Sequence, residues 1–490
     1  MFFQFCNVKF LLRYSYIAFA MLQSWVWGQE PAAALFELTT DPVLLNSKIS
    51  ILAIDVKTGD TLLQWNPKKS FATASTTKLF TTALAYELLG PSYQFQTGLY
   101  ADAPIVKGTL TGNLWVKGGG DVTLGSKFFN ADGLELDVLN RWADSLIAMG
   151  LHELKGNIII DGSDFGYNGA PLGWSAADLG NYYGAFPAGI NWYDNILKYY
   201  FATGKPGTKA KLIATYPKQS QLYFTSRIVS ARVKGDHSNV YGNPYDYSRS
   251  ASGRLPAYKS SYMVKGSIPD PELNFAEVFR NVLVSKGILL TGEVKTMRLA
   301  KLKRPDYDMI TLLLSEKGRN VDEIATWTNE RSVNFFAEGL LNGVGYKITG
   351  DGTNASALNV EHAYWGTKID TSGLRIFDGS GLSRDNKISA AHFCELLKYM
   401  YNSPNFSPYF ASLPTAGVSG TIRDLCNDQM GEGKICAKSG SMTGIKSYAG
   451  YIHSLSGRDF VFAVTVNGYT CATSHVVSKM EKILNSLSGL

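Results

Sequence analysis

The chain is poor in histidine. It has six histidines in 490 residues and no H-E-x-x-H motif, so the common helical zinc site of metal hydrolases is excluded. It also lacks the G-x-S-x-G motif that forms the nucleophile elbow of many Ser-His-Asp hydrolases. His392 falls in an apolar segment, where we expect a structural histidine. We therefore predict neither a metal nor a cofactor.

Cysteine is scarce as well. Cys6 lies near the amino terminus, and Cys394, Cys426, Cys436 and Cys471 show no C-x-x-C spacing, which argues against zinc. Cys426 and Cys436 bracket a short loop. In an oxidising compartment they would form a disulfide, and otherwise they would remain two free thiols. The sequence does not choose between these alternatives.

Dense runs of basic residues are missing. The formal net charge is +6, without a stripe of Lys and Arg interleaved with aromatics, so the sequence predicts no nucleic-acid partner. A hydrophobic content of 45% with 18% charged residues is typical of globular proteins. A chain of this length is expected to form two or three domains.

Long apolar runs are absent beyond the amino terminus. There, Lys9 and Arg13 precede the uncharged stretch Tyr14–Gly28, which ends in small residues. This pattern predicts that residues 1–28 are a signal peptide cleaved before Gln29. The alternative is a retained membrane anchor, for which the uncharged run is short. After signal removal we expect no integral membrane span.

The order of strand and helix patterns predicts an α/β (α+β) domain that is interrupted by an insertion. A hairpin is expected at Ile49–Val56 and Thr61–Trp65. The remaining elements that we predict with definite limits are helices at Ser75–Leu89, Val321–Asn329, Asn334–Leu341, Ser389–Tyr401 and Ser474–Leu487, and paired strands at Tyr448–Ser454 and Phe460–Val466. Residues 101–317 are rich in short strands and turns. The prediction is one domain from 29–100 and 318–490, with 101–317 as an inserted β-rich region of two lobes.

Ser75-Thr76-Thr77-Lys78 is the central candidate for chemistry. On a helix, positions i and i+3 share a face, so the Lys78 amine would lie one turn from the Ser75 hydroxyl. A serine hydroxyl is a weak nucleophile until a base removes its proton. The alternative is a helix-capping serine beside a solvated lysine.

Two further short motifs follow in the chain. In Ser332-Val333-Asn334, the hydroxyl can pass a proton and the amide can hold a carbonyl, although helix capping would also explain the pattern. In Lys438-Ser439-Gly440, the lysine and hydroxyl can hold a carboxylate, and Gly440 permits close approach to the backbone. Similar strings elsewhere are discarded because turns or loops explain them, namely Lys57-Thr58-Gly59 and Ser403-Pro404-Asn405.

The order S-x-x-K, S-x-N, K-[ST]-G resembles the signature of penicillin-recognising serine enzymes. Ser75 and Ser332 are 257 residues apart, which is similar to the large insertion of low-molecular-mass class C penicillin-binding proteins. Those proteins are D-alanyl-D-alanine carboxypeptidase/endopeptidases. Other stretches that resemble this family are Ala74–Leu79, Gly118–Leu124, Asp378–Arg384, Leu413–Gly417 and Ala437–Ser441.

The resemblance implies a β-lactamase-like transpeptidase domain, with an antiparallel sheet flanked by helices. It implies that Ser75 attacks the D-Ala–D-Ala carbonyl and that Lys78 is the base, held neutral by burial and nearby cations. Ser332 would relay the proton, and Asn334 would orient the peptide. The remaining implied roles concern the third motif: Lys438 and Ser439 would bind the terminal carboxylate beside Gly440, and the backbone N–H of Ser441 would join that of Ser75 in an oxyanion hole.

The resemblance also implies a periplasmic protein whose partners are peptidoglycan peptides and, as covalent inhibitors, β-lactam antibiotics. A serine at position 439 replaces the family's threonine and keeps the hydroxyl. Two alternatives remain: a β-lactamase or esterase on the same site, and a non-catalytic wall-binding or penicillin-sensing protein. The intact motifs argue against the second. We expect Ser75, Ser332 and Lys438 to converge in one cleft.

Overall fold

The structure is a computed structural model that describes residues 30–300 and 302–490, so the predicted signal peptide lies outside the described residues. The helices are α1 (30–39), α2 (Lys78–Leu88), α3 (Asp137–Ala148), α4 (Pro271–Ser285), α5 (Met297–Ala300), α6 (Val321–Glu330), α7 (Asn334–Thr349), α8 (Asn354–Gly366), α9 (Ala390–Tyr401), α10 (Phe406–Ala411) and α11 (Thr473–Ser488).

The strands are β1 (Lys48–Asp55), β2 (Thr61–Trp65), β3 (Gln94–Ala101), β4 (Ile105–Val106), β5 (Thr109–Leu110), β6 (Leu114–Lys117), β7 (Glu153–Leu154), β8 (Ile158–Asp161), β9 (Ile196–Ala202), β10 (Lys211–Tyr216), β11 (Tyr223–Ala231), β12 (His237–Tyr241), β13 (Ser248–Pro256), β14 (Tyr262–Ser267), β15 (Leu289–Leu290), β16 (Val294–Thr296), β17 (Thr311–Asn320), β18 (Ile435–Met442), β19 (Ile445–His453) and β20 (Asp459–Asn467).

The chain divides into two compact units. The first unit contains the residues up to Thr77, together with Lys368–Arg375 and Asn386–Leu490. The second unit contains Lys78–Thr367 and Ile376–Asp385. The boundary therefore falls between the third and fourth residues of the S-x-x-K motif.

The first unit is built on a five-stranded antiparallel sheet in the order β18-β19-β20-β1-β2. Strand β20 is buried over Phe460–Asn467, as expected for a central strand covered on both faces. Helix α11 contributes Met480 and Leu484 to the core on one face of the sheet. Helix α9 packs on β1 and β20, and its Cys394 lies against the Leu52 carbonyl. The predicted antiparallel sheet flanked by helices is thus observed.

In its described residues, the second unit contains the β-rich stretch together with six helices of seven or more residues. Its sheets have the strand orders β16-β8-β6-β3-β17, β15-β7-β5-β4, β10-β9-β14 and β11-β13-β12. Two separate hydrophobic clusters form here, one around Trp142 and Phe279 and the other around Tyr199 and Val264. Helix α2 is buried over Lys78–Tyr86, because α6 and α7 pack against it.

The hairpin, the paired strands and the closing helix that the sequence predicts are confirmed within a few residues. In the division into two compact units, 78–100 and 318–367 group with the β-rich stretch. The reason is that β3 pairs with β17, and α2 packs with α6 and α7. The predicted domain of 29–100 and 318–490, with an inserted 101–317 in two lobes, stays a prediction.

No disulfide joins Cys426 and Cys436 in the structure, so the disulfide alternative is not the one observed. Cys426 is buried, and Cys436 contacts the Thr415 hydroxyl at 3.5 Å. Within residues 30–300 and 302–490, every helix is too short or too polar to span a bilayer.

Candidate active site

Ser75 lies in a 3₁₀ turn, Ala74–Thr77, that runs directly into helix α2. The predicted α-helix therefore begins three residues later, at Lys78. Threonine side chains explain the tight turn, because the Thr76 hydroxyl donates to the Thr73 carbonyl at 2.7 Å and the Thr77 hydroxyl donates to the Ala74 carbonyl at 2.9 Å. Such local bonds compete with the regular helical ladder.

Strand β18 of the first unit packs directly on this turn. A Cβ built on Gly440 would lie 2.2 Å from the Thr73 carbonyl oxygen and 3.1 Å from the Ser75 amide nitrogen. On the next strand, the Ser447 hydroxyl donates to the same Thr73 carbonyl at 2.6 Å and lies 3.1 Å from the Thr76 hydroxyl. The glycine of the third motif therefore lets strand β18 and the Ala74–Thr77 turn approach each other, and a side chain of β19 holds the turn by hydrogen bonds.

The other residues of the third motif lie on the same strand. Lys438 is fully buried, and its Nζ donates to the Ser439 carbonyl at 2.9 Å. The Ser439 hydroxyl donates to the Thr421 hydroxyl at 2.8 Å. Ser441 is exposed at the end of β18. Along β18, the buried Lys438 amine is thus followed by the Ser439 hydroxyl and then by the exposed residue Ser441.

Lys78 is completely buried in the second unit, where two oxygens hold its Nζ. It donates to the Asn334 side-chain oxygen at 2.7 Å and to the Ser380 carbonyl at 2.6 Å. A neutral amine has two N–H bonds and one lone pair. The Asn334 and Ser380 oxygens accept from N–H groups of the amine, and the lone pair of the neutral form is the part that takes up a proton.

Burial lowers the pKa of Lys78 to about 7, since an ammonium loses its hydration in this environment. The Asp378 and Glu338 carboxylates act in the opposite direction and raise the pKa. The amine is therefore close to half neutral near physiological pH. The resemblance implies that nearby cations such as Lys438 assist burial, and that contribution stays a prediction.

The second motif lies between α6 and α7. Ser332 has a φ of 58°, the left-handed region that costs a non-glycine residue energy and that clusters at functional sites. Val333, not Ser332, is the N-cap of α7, and it makes no side-chain cap. Asn334 is the first residue of α7 and also donates to the Tyr183 carbonyl at 2.9 Å. Helix capping therefore does not explain the Ser-Val-Asn pattern.

The loop that holds Lys78 is built around Asp378. This carboxylate accepts from the backbone N–H groups of Gly381 and Ser383, from the Ser380 hydroxyl and from the Trp174 indole, at 2.8–3.1 Å. A carboxylate that accepts several donors fixes the loop backbone. The position of the Ser380 carbonyl opposite Lys78 follows from this arrangement.

Glu338 supports the same loop from helix α7. Its two oxygens accept from the backbone N–H groups of Gly379 and Ser380, at 3.1 and 2.7 Å. Glu338 is one turn after Asn334, so one face of α7 supplies both a direct partner of Lys78 and the support of the loop. Burial, and after it the Asp378 charge, raises the pKa of Glu338, whereas the hydrogen bonds that its oxygens accept lower it and favour the carboxylate.

The sequence did not single out Glu338, Ser380 or Ser447 for the site. Their signals were modest: Glu338 is a lone acid in the apolar run Phe335–Leu341, and Ser380 belongs to a stretch to which no role was given. The Lys57-Thr58-Gly59 string forms the β1–β2 turn, as predicted, with Lys57 and Thr58 donating to Asp55. His392 is structural, since its ring lies 3.2 Å from the Ser372 carbonyl and accepts from the Ser389 N–H.

Sequence comparison places the chain among known proteins. Residues 32–487 match the D-Ala-D-Ala carboxypeptidase 3 (S13) family. A D-alanyl-D-alanine carboxypeptidase from Actinomadura sp. (strain R39) is 26% identical, over 88% of this chain and 79% of that protein. D-alanyl-D-alanine carboxypeptidase DacB from Haemophilus influenzae is 25% identical, over 89% of this chain and 88% of that protein.

Comparison of structures agrees on the fold. The crystal structure of penicillin binding protein 4 from Haemophilus influenzae superposes with a TM-score of 0.80 at 21% identity, covering 93% of this chain and 99% of that one. A structure of the same protein complexed with a β-lactam gives a TM-score of 0.76 at 20% identity. The predicted mixed α/β fold is confirmed.

Together, these matches define the class of protein as a serine-type D-alanyl-D-alanine carboxypeptidase, which is a hydrolase. The chain belongs to the D-Ala-D-Ala carboxypeptidase 3 (S13) family.

Proposed function

We propose that this carboxypeptidase acts through an acyl-enzyme on Ser75, with Lys78 as the general base. The observation that carries the proposal is the environment of Lys78. Its amine is buried, its pKa is about 7, and Asn334 and Ser380 hold it. A base with a pKa near the working pH combines availability with proton affinity. Ser75 precedes it by three residues on one continuous turn.

The steps follow from this assignment. Lys78 takes the Ser75 proton as the Ser75 oxygen attacks the carbonyl of the penultimate D-alanine. The C–N bond then breaks, and the leaving amine of the terminal D-alanine takes up a proton through Ser332. Water next attacks the Ser75 ester, which releases the shortened peptide and restores the hydroxyl. An oxyanion forms both when the acyl-enzyme is made and when water hydrolyses it. In each case it accepts from the backbone N–H groups of Ser75 and Ser441.

The third motif supplies substrate recognition in this proposal. Lys438 and Ser439 bind the terminal carboxylate, and Asn334 orients the peptide. The substrates are peptidoglycan stem peptides that end in D-Ala–D-Ala, and also the D-alanyl cross-links between stems. This requires Ser75, Ser332 and Lys438 to face one cleft, which remains a prediction of the proposal.

Two further points belong to the proposal. β-Lactams place a strained amide where the scissile bond lies, so they acylate Ser75 as covalent inhibitors. Residues 1–28 direct export, so that the mature protein starts near Gln29 in the periplasm. Sequencing of the exported protein tests the second point, and an intact Met1 in the membrane fraction would contradict it.

A digest of purified muropeptides, followed by mass spectrometry, tests the proposed function. The expected products are stem peptides that have lost a terminal D-alanine and monomers released from cross-linked dimers. Ser75→Ala should form neither product. Intact muropeptides after incubation with wild type, together with rapid turnover of a β-lactam, would favour a β-lactamase. Binding of peptide without cleavage, unchanged in Ser75→Ala, would favour a wall-binding protein.

A further inference from the structure

One face of strand β3 is left open by the core of the second unit. The residues of β3 alternate between buried and accessible, with Phe95 and Leu99 fully buried. The opposite face carries Gln94, Gln96, Gly98 and Tyr100, and it lines a cavity of about 620 Å³. We call this cavity the β3 cleft. Its volume is in the range of small-molecule sites, and none of the three sequence motifs lines it.

Three tyrosines line the β3 cleft, and each ring is held by a neighbouring aromatic. Tyr93 packs edge-on against Phe95, with ring centroids 5.4 Å apart. Tyr346 packs on Phe165 at 5.0 Å, and Tyr100 packs on Tyr307 at 4.7 Å. The rings are thus fixed before any ligand arrives, which reduces the entropy lost on binding.

Gly98 allows the Tyr100 ring to lie across the strand. A Cβ at position 98 would approach the Tyr100 ring to 2.5 Å, so a side chain there would displace the ring. Because of the register, Gly98 also lies between Ser315 on β17 and Lys117 on β6. Gly98 therefore forms the floor of the cleft. The Tyr100 ring lies over it, and Ser315 and Lys117 flank it on the neighbouring strands.

The polar groups of the β3 cleft are of mixed character. Gln94 donates through Nε2 to the Gly318 carbonyl at 2.8 Å, which fixes the orientation of its amide. Asp164 lines the cleft while its carboxylate is paired with Arg304 at 2.6 Å. Lys117 and Lys347 lie over the rings of Tyr307 and Tyr93, respectively. Planar amides, one acid and two ammonium groups can bind hydroxyl, acetamido and carboxylate groups at the same time.

We propose that the β3 cleft binds a short segment of the amino-sugar glycan strand of peptidoglycan. Sugar rings present a face of C–H groups that packs on the electron-rich face of an aromatic ring, and a rim of hydroxyls that needs planar hydrogen-bonding partners. Fixed tyrosines beside glutamine amides meet both needs. The proposal rests on the proposed function, since that function makes peptidoglycan the substrate.

Binding of glycan at the β3 cleft would speed the digestion of wall material by raising the local concentration of its stem peptides. An enzyme held on the glycan meets the stem peptides of the same polymer at a raised effective concentration. The cleft should therefore matter for intact wall material and not for a small soluble peptide. This difference gives the proposal a readout that is independent of the chemical step.

The probes for the test are soluble glycan strands stripped of stem peptides and a free stem pentapeptide ending in D-Ala–D-Ala. Calorimetric titration of the full mature protein should show binding of the stripped glycan. Tyr100→Ala should weaken that binding about tenfold or more, whereas Tyr100→Phe keeps the ring and should retain it. Tyr223→Ala is the matched control, because Tyr223 is an exposed tyrosine outside the cleft.

Activity separates this proposal from the proposed function. Tyr100→Ala should release D-alanine from the soluble pentapeptide at the wild-type rate but digest purified sacculi about tenfold more slowly. Stripped glycan that does not bind wild type, or that binds Tyr100→Ala equally well, would overturn the β3 cleft proposal and leave the carboxypeptidase untouched. If wild type neither releases D-alanine from the pentapeptide nor digests sacculi, the proposed function is contradicted instead. If the glycan binds only when it carries its peptides, the cleft is not a saccharide site.

Discussion

At the scale of the residue, the proposed mechanism makes the reactivity of Ser75 depend on the protonation of Lys78. Burial and two acidic neighbours act in opposite directions on this one amine, and burial dominates. The rate of acylation should therefore rise with pH and level off above about 7, as the amine loses its proton. Measurement of the acylation rate constant with a labelled penicillin between pH 5.5 and 8.5 tests this. A rate that is flat across this range, or that falls with pH, would contradict a base of pKa near 7.

Lys78→Ala removes the proposed base while leaving the hydroxyl of Ser75 in place. Acylation should slow by roughly 10³-fold or more, because nucleophile and base act as a unit. Lys57→Ala changes the lysine of the literal K-T-G string, which lies in the β1–β2 turn. That variant should acylate at the wild-type rate. A small effect of Lys78→Ala, with the fold intact by circular dichroism, would assign the base elsewhere.

Glu338 is expected to act as a positioning residue for Lys78. In Glu338→Gln, one side-chain oxygen is replaced by an NH₂ group, which faces a backbone N–H and cannot accept from it. The loop then shifts, and the Ser380 carbonyl no longer supports the protonated amine. We expect kcat to fall about 100-fold. The pH at which activity levels off should also move down, because loss of that acceptor lowers the pKa of Lys78.

Glu361→Gln is the control for this experiment, since Glu361 is also a fully buried acid but its oxygens make no hydrogen bond in the structure's described part. It should leave the pH profile largely in place. An equal effect of both variants would mean that Glu338 contributes stability alone.

At the scale of the element, the packing of β18 on the Ala74–Thr77 turn sets the position of Ser75, the proposed nucleophile. Gly440→Ala would place a methyl group 2.2 Å from the Thr73 carbonyl oxygen, so the strand or the turn must move. We expect acylation to fall by about 100-fold, since small displacements of a reacting group are costly. The measurement is the acylation rate together with the melting temperature.

Gly366→Ala is the matched control, because a Cβ at position 366 would have no heavy atom within 4 Å. It should leave acylation unchanged. Wild-type acylation in Gly440→Ala would show that the close approach of strand and turn does not position Ser75.

The same elements show how far the sequence could predict the structure. Spacing identified the three motifs, because periodicity and turn residues are local properties. The helix was predicted to start at Ser75, because the pattern of apolar residues does not take account of the threonine hydroxyls that tighten the turn. Gly440 was explained by substrate approach, whereas the structure also has the Thr73 backbone there. That partner is more than 350 positions away in sequence, as is common for contacts that no local pattern encodes.

At the scale of the whole molecule, buried acids make stability depend on pH. Burial, and then the charges of Glu338 and Asp378, raises the pKa of Glu361 to about 8. Between pH 4.5 and 8 the folded protein keeps a proton that the unfolded chain releases. The stability from this group is complete below pH 4.5 and is lost as pH rises through 8.

Glu361→Gln cannot lose that proton. The free energy of unfolding of wild type relative to Glu361→Gln should therefore fall between pH 5 and pH 8 by an amount on the order of a few kcal/mol. Chemical denaturation at both pH values measures it. Glu293→Gln, at an exposed position, should track wild type at both. If the difference in the free energy of unfolding between wild type and Glu361→Gln is the same at both pH values, Glu361 ionises normally in the folded protein.

The residue to which a labelled penicillin attaches tests the proposed role of Ser75 most directly. Attack on the β-lactam carbonyl by Ser75 forms an ester, and the opened ring stays tethered to it, so the adduct should survive digestion and peptide mapping. We expect one adduct, on the peptide that contains Ser75, in wild type and in Lys57→Ala, and none in Ser75→Ala. Labelling that persists in Ser75→Ala, or that maps to another residue of wild type, would contradict that role.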